Sequence, residues 1–309
     1  MNSTKIRTIA TLVGIATVLG AVSFWIGQQA YNWFPPQASA ESIEIDKLFS
    51  FLVTIAAFIF LGVSGTLIYS ALFQRAGKYD SSDGPPIEGN LTLEVVWTAI
   101  PFVLVIWIAT YSFQIYDRLS IIGPMEHNHA MAAATRPESV EVGASRPEPV
   151  EQIEVLSRQW AWEFHYPKHD VSSTELHLPK DQRVQLVLQS EDVLHGLYIP
   201  AFRLKQDIVP NERINFEMTP IREGIYRLRD SQYSGTYFAA MQANVVVESP
   251  EAYQRWLKMA AAQPPQVAYN QAYDEYEQAS RKTAIAGWKS IPPAPPPVVN
   301  YPGPKASED

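Results

Sequence analysis

The sequence predicts a membrane-anchored α+β chain, with N-terminal transmembrane helices followed by an all-β domain. Two observations predict it. Three uncharged, apolar stretches of membrane-spanning length fall within the first 120 residues. Between Ile153 and Glu248, short runs rich in β-branched and aromatic residues follow one another, several alternating apolar and polar residues, with Gly, Pro, Asn or Asp between them.

The apolar stretches run from Thr8 to Gly27, Leu48 to Phe73 and Val95 to Tyr116. Each reaches the roughly 20 residues that a helix needs to cross hydrocarbon, and none carries the polar stripe of a soluble core helix. The first follows Lys5 and Arg7, and "ASA" at Ala38–Ala40 has the look of a signal cleavage site. Its apolar run exceeds the usual h-region of about 7–15 residues, and Ala40 lies far beyond its end. Segment 1–47 is therefore read as carrying an uncleaved first helix, with a cleaved signal as the alternative. Lys5 and Arg7 hold the N-terminus in the cytoplasm. The second helix returns inward, placing Arg75 and Lys78 on the cytoplasmic side, and the third exits. Segment 48–120 is thus a transmembrane hairpin, and everything from Asp117 onward is expected on the outer (periplasmic or lumenal) side of a cell or thylakoid membrane.

Residues 121–150, rich in Ala, Pro and Glu, read as a linker. His127 and His129 within it are expected to be solvated rather than metal ligands. Segment 151–250 carries "IEVLSRQWAWEFHYP", "RVQLVLQS", "RINFEMTP", "GIYRLR" and "ANVVVES", a β-sandwich or Greek-key barrel of about 100 residues. Segment 251–309 opens on a helix, "EAYQRWLKMAAA", started by Ser249-Pro250-Glu251. From Trp288 a Pro-rich tail is expected to be extended or disordered. A net charge of -8 and a pI near 5.3 argue against nucleic acid, whose phosphates need clustered Lys and Arg. The absence of cysteine excludes disulfides, thiolate metal sites and a Cys nucleophile.

Four motifs, "LEVVWTAIP", "RQWAWEF", "SEDVLHGLYIPAFRLKQDIVP" and "GIYRLRDSQYSGTYFAAM", occur in the order and spacing of subunit II of the haem-copper terminal oxidases. The resemblance implies a cupredoxin-like Greek-key barrel and helices packed in the lipid bilayer against subunit I, with subunit III as a further partner. In the cytochrome c oxidases of that family the β-domain holds a dinuclear copper centre, CuA. It is built from two bridging thiolates, two imidazoles, a thioether and a backbone carbonyl, because soft sulfur stabilises mixed copper valences. Position by position, His195 keeps the first histidine and Met241 the methionine. Asp230 and Ser234 stand at the cysteines, Gln232 at the glutamate and Phe238 at the second histidine. The stretch reads as a copper loop without its ligands, so no metal or cofactor is expected in this chain and the haems and copper are assigned to subunit I. Phe238 and Tyr233 are expected to fill the vacated space as packing aromatics, and His195 to be a hydrogen-bonded histidine holding its turn.

"YSGxxFxxM" is similar to the same loop in bacterial quinol oxidases, whereas His195 and "FRLKQD" are closer to cytochrome c oxidases. The mixture resembles the cyanobacterial alternative respiratory terminal oxidases, and it implies membrane quinol as electron donor and oxygen as acceptor. Trp160 matches the tryptophan at which electrons enter copper-bearing relatives and reads here as a packed aromatic. Glu191, Asp192, Asp207 and Glu217 read as solvated surface carboxylates. Glu94, in "EVVWT", matches the glutamate at the mouth of the K proton channel and reads as a proton entry point rather than a simple helix-end charge. No catalytic residue is expected in this chain. The alternatives are a cytochrome c oxidase subunit II acting without CuA and a membrane-tethered cupredoxin-like assembly module.

Overall fold

The computed structural model describes residues 3–75, 77, 79, 89–118, 149–281 and 291–304. His127, His129, Lys78 and nearly all of the expected linker lie outside the described residues. The chain divides into two compact units, Met1–Phe34 with Glu44–Arg118, and Pro35–Ile43 with Leu119–Asp309.

The first unit is helical: α1 (Ser3–Gln29), α2 (Ala40–Phe73) and α3 (Leu91–Arg118). All three are long and apolar enough to cross a membrane. They expose large apolar side chains such as Leu12, Phe60 and Phe102, a surface suited to hydrocarbon. The second helix starts at Ala40 rather than Leu48, because Glu41, Glu44 and Lys47 are good helix formers that extend it past the apolar run. α1 meets α2 where Gly27 admits close approach. A Cβ there would fall 1.9 Å from Thr54 Oγ1, and Ser50 Oγ donates to Gly27 O at 2.8 Å. α2 meets α3 through Phe51, edge-on to Trp107 and Tyr111 at 5.0 and 5.3 Å.

The second unit holds β1 (Glu151–Arg158), β2 (Ala161–Tyr166), β3 (Val171–Ser173), β4 (Leu176–Pro179) and β5 (Val184–Ser190). It continues with β6 (His195–Ile199), β7 (Leu204–Ile208), β8 (Ile214–Met218), β9 (Gly224–Asp230) and β10 (Gln242–Glu248). One sheet has the order β3-β2-β1-β5-β8 and the other β4-β10-β9-β6-β7. β1 pairs with β5, and β10 with β4, in parallel; the other pairs in these two sheets are antiparallel. The inward side chains form one core, including Ile153, Phe164 and Leu186 from one sheet and Leu197, Leu228 and Val245 from the other. β1 shows the alternation of a half-buried strand.

The segment before α2 is stitched into this unit. Ala38 N donates to Ala201 O at 3.0 Å, Ala38 O accepts from Ile221 N at 2.9 Å, and Ala40 N donates to Thr219 O at 2.9 Å. Ala38 is fully buried.

After the sheets comes α4 (Pro250–Ala261), with Ser249 Oγ accepting from Ala252 N and Pro250 in its first turn. Its buried face carries Tyr253, Trp256 and Leu257. Then β11 (Gln266–Val267), α5 (Gln271–Arg281) and β12 (Val298–Val299) follow. The described part of the tail is extended and hydrogen-bonded to the β-domain.

Candidate functional site

At one end of the β-domain three loops meet: the turn 191–194 before β6, the turn Gln159–Trp160 between β1 and β2, and the segment 231–241 after β9. Asp230, at the end of β9, has a side chain with no exposure. Its Oδ2 accepts from His195 Nδ1 and Ser234 Oγ, each at 2.8 Å. Its Oδ1 accepts from Gly196 N at 2.8 Å and Gln232 N at 3.0 Å. His195, fully buried at the start of β6, reaches Asp192 Oδ1 through Nε2 at 2.9 Å. Asp192 in turn accepts from Gln159 N and Val193 N, both at 2.6 Å.

Between two ionised carboxylates, which only accept, both ring nitrogens of His195 donate, as in an imidazolium. Burial opposes that charge, but hydrogen bonds and attraction from Asp192 and Asp230 outweigh it and hold the ring above an ordinary histidine. Burial likewise acts against Asp192, and the His195, Gln159 and Val193 donors outweigh it, so Asp192 lies below the usual carboxylate range. The result is an aspartate–imidazolium–aspartate clamp joining the three loops.

The expected site residues fall around this clamp. Ser234 is buried, and its carbonyl accepts from Trp160 Nε1 at 3.2 Å and Gln159 Nε2 at 2.5 Å. Gly235 follows at φ +120°, where a Cβ would fall 2.7 Å from Trp160 Cζ2, so that approach requires glycine. Trp160 is 2% exposed, edge-on to Tyr237 at 5.2 Å, and its carbonyl accepts from Asn270 Nδ2. Gln232 donates to Asp207 Oδ1 at 2.8 Å. Met241 is buried, and its carbonyl accepts from Trp162 Nε1 at 3.3 Å.

Two expectations are corrected. Tyr233 is 77% exposed and touches Phe238 from outside. Phe238 alone packs against the core, and the polar clamp fills the centre. Asp192 and Glu217 are structural partners, Asp192 in the clamp and Glu217 in an ion pair with Arg183. The signal for Asp192 is the D-x-x-H spacing across a tight turn, which brings a carboxylate to the second nitrogen of His195.

The donor set does not fit a dinuclear thiolate-bridged copper centre. The chain has no cysteine, the sulfur among the expected ligand positions is the Met241 thioether, Phe238 has no lone pair, and Asp230, Ser234 and His195 are engaged with one another. In the helical unit, Glu94 lies in the first turn of α3, after the cap in which Asn90 Oδ1 accepts from Leu93 N at 3.2 Å. It borders a shallow apolar recess with Val95, Thr98, Ala99 and Phe102.

Residues 23–115 match the family described as Cytochrome C oxidase subunit II, transmembrane domain, and residues 169–249 match its periplasmic domain. The "Cytochrome c oxidase subunit 2" of Synechocystis sp. is 36% identical over 279 residues, covering 83% of each chain. That of Thermostichus vulcanus is 33% identical, covering 79% of this chain and 83% of its own. "Quinol oxidase subunit 2" of Bacillus subtilis is 26% identical, covering 78% of this chain and 68% of its own. These matches and the cupredoxin-like β-domain agree on one assignment. The chain belongs to subunit II of the haem-copper terminal oxidases, a respiratory electron-transport component anchored by its apolar helices, with its β-domain on the outer side and other oxidase subunits as its partners.

Proposed function

We propose that this chain is the subunit II of a quinol oxidase that works without CuA. Electrons pass from membrane quinol to oxygen through haems and copper held in subunit I, with subunit III completing the complex. The observation that carries this reading is the clamp. The atoms at the ligand positions are either absent or held by one another, and a buried imidazolium has no lone pair to offer a metal. The β-domain then serves to cover and assemble the complex, and no electron step is assigned to its residues. Glu94 gathers protons at the start of α3, on the cytoplasmic side that Lys5 and Arg7 imply, since a wet carboxylate at a membrane edge raises the local proton concentration.

A second reading, a cytochrome c oxidase subunit working without CuA, is favoured by the name of the 36% identical relative. One experiment separates them: oxygen uptake by the purified complex with quinol and with reduced cytochrome c, alongside its copper content. Uptake with quinol, little with cytochrome c, and copper at one per complex support the proposal. Uptake with cytochrome c alone supports the second reading, and three coppers per complex overturns both.

A further inference from the structure

After α5 the chain runs back across the β-domain. β12 pairs with β11, and Tyr301 bridges Ser173 in parallel. Tyr301 N donates to Ser172 O at 3.0 Å and its carbonyl accepts from Thr174 N at 3.1 Å. Asn300 Oδ1 accepts from Ser172 N at 3.0 Å, and Pro302 O from Thr174 Oγ1 at 2.5 Å. The segment thereby closes the free edge of β3, the outer strand of its sheet.

Beneath it lies His177 on β4, only 4% exposed. Its ring stacks on Trp256 of α4 at 3.8 Å and 8°, and meets Tyr301 edge-on at 5.5 Å. Nδ1 is 3.1 Å from Glu248 of β10. Nε2 is 3.6 Å from Glu175, at the entry to β4, an ion-pair distance longer than a hydrogen bond. From β2, Tyr166 OH accepts from His177 N at 2.7 Å and donates to its carbonyl at 3.1 Å. Glu151 of β1 acts electrostatically on Tyr166 and is held by Tyr253 of α4 and His169. Among the described residues, the charged groups that act on the ring are the carboxyls of Glu175 and Glu248. The segment also presses on one of these carboxyls: Gly303, at φ +67°, has space for no Cβ, which would fall 2.8 Å from Glu175 Cγ.

We infer that residues 298–304 form a strap whose hold on the β-domain is set by the proton on the imidazole it covers. A charged ring points an N–H at each of Glu175 and Glu248 and offsets one of their two charges. A neutral ring has one N–H, serves one of them, and leaves both anionic, one without a donor from the ring, against the strap. Burial opposes the charge on His177, but Glu175 and Glu248 outweigh it and raise the ring above an ordinary histidine. The hold is therefore greatest on the acid side of the His177 transition, where the ring is charged, and declines as pH rises through it. Linkage sets the size: protection falls about tenfold for each pH unit by which strapping raises the His177 midpoint.

The test is hydrogen exchange at Tyr301 N–H and its neighbours in the full chain, corrected for intrinsic pH dependence, between acid and alkaline pH. Protection is expected to fall with rising pH in the wild type, with the midpoint moved to lower pH in Glu248→Gln and the fall absent in His177→Gln. The wild-type and Glu248→Gln profiles decide the question even where His177→Gln does not fold. Flat wild-type protection, an unmoved midpoint in Glu248→Gln, or a wild-type profile in His177→Gln overturns the inference.

Discussion

Replacing Asp230 with alanine tests the clamp most directly. The carboxylate is buried and accepts from four donors: the His195 ring, the Ser234 hydroxyl and two backbone amides. Removing it leaves a buried imidazolium with one partner and two backbone amides without one. Breaking a buried charge pair in this way costs about 3–5 kcal/mol. For a domain of this size that is a melting-point loss of roughly 6–20 °C, at about 2–4 °C per kcal/mol. The two substitutions should be coupled, because Asp230→Ala with His195→Gln removes the stranded charge along with its partner. The double variant is expected to be less destabilised than the two single losses summed. The assay is thermal melting of the purified full chain followed by near-ultraviolet circular dichroism. pH adds a signature with a definite sign. The stabilisation from His195, raised in the fold, is complete below 6.5 and declines as pH rises through its folded value. That from Asp192, lowered in the fold, is complete above 3.8 and declines as pH falls through its folded value. The clamp is tightest between those two ordinary values. A melting point within about 1 °C of wild type for Asp230→Ala, or strictly additive losses, would show that the clamp is not a charged unit.

Glu94→Ala should slow oxygen consumption of the purified complex at full haem content, with Glu94→Asp milder; equal turnover in both would reduce Glu94 to a helix-end charge. Trp160→Phe should leave quinol-driven uptake intact while lowering the melting point, because the Nε1 bond to Ser234 O is lost, about 1 kcal/mol; loss of uptake at unchanged stability contradicts this. Gly27→Val should impair packing of α1 on α2, since a Cβ would meet Thr54 Oγ1 at 1.9 Å; a melting point unchanged in detergent would show that the seam tolerates bulk. Incubation of the purified chain with copper salts, followed by dialysis and elemental analysis, should leave no stoichiometric copper; two coppers retained per chain would contradict the clamp.

What was legible in the sequence is what repeats locally. The three spans follow from runs of apolar residues, β5 and β8 from period two, and the start of α4 from Ser249-Pro250. β4 escaped because it is only 4 residues long, too short a run to stand out as a strand. "IEVLSRQWAWEFHYP" conceals a turn at Gln159–Trp160 that is tied to Asp192, a partner 33 residues away. In the site, residue types alone gave the missing thiolates. The outward course of Tyr233 depends on the turn through Gly235 at φ +120°, which spacing does not encode. The clamp needed Asp230 beside His195, a contact that exists only once β6 and β9 lie side by side.

The stitching of Ala38–Ala40 into the β-domain has a consequence for biosynthesis. Its partners, from Ala201 to Ile221, are made long after it: Ser39 and Phe202 alone are 163 residues apart. At about 5–20 residues per second of synthesis, the "ASA" stretch emerges roughly 8–33 seconds before anything exists to cover it. The finished fold cannot shield it from a peptidase during that interval. Whatever protection it has then must be local, in its distance from the end of the α1 apolar run and in the Pro35–Pro36 pair just ahead of it.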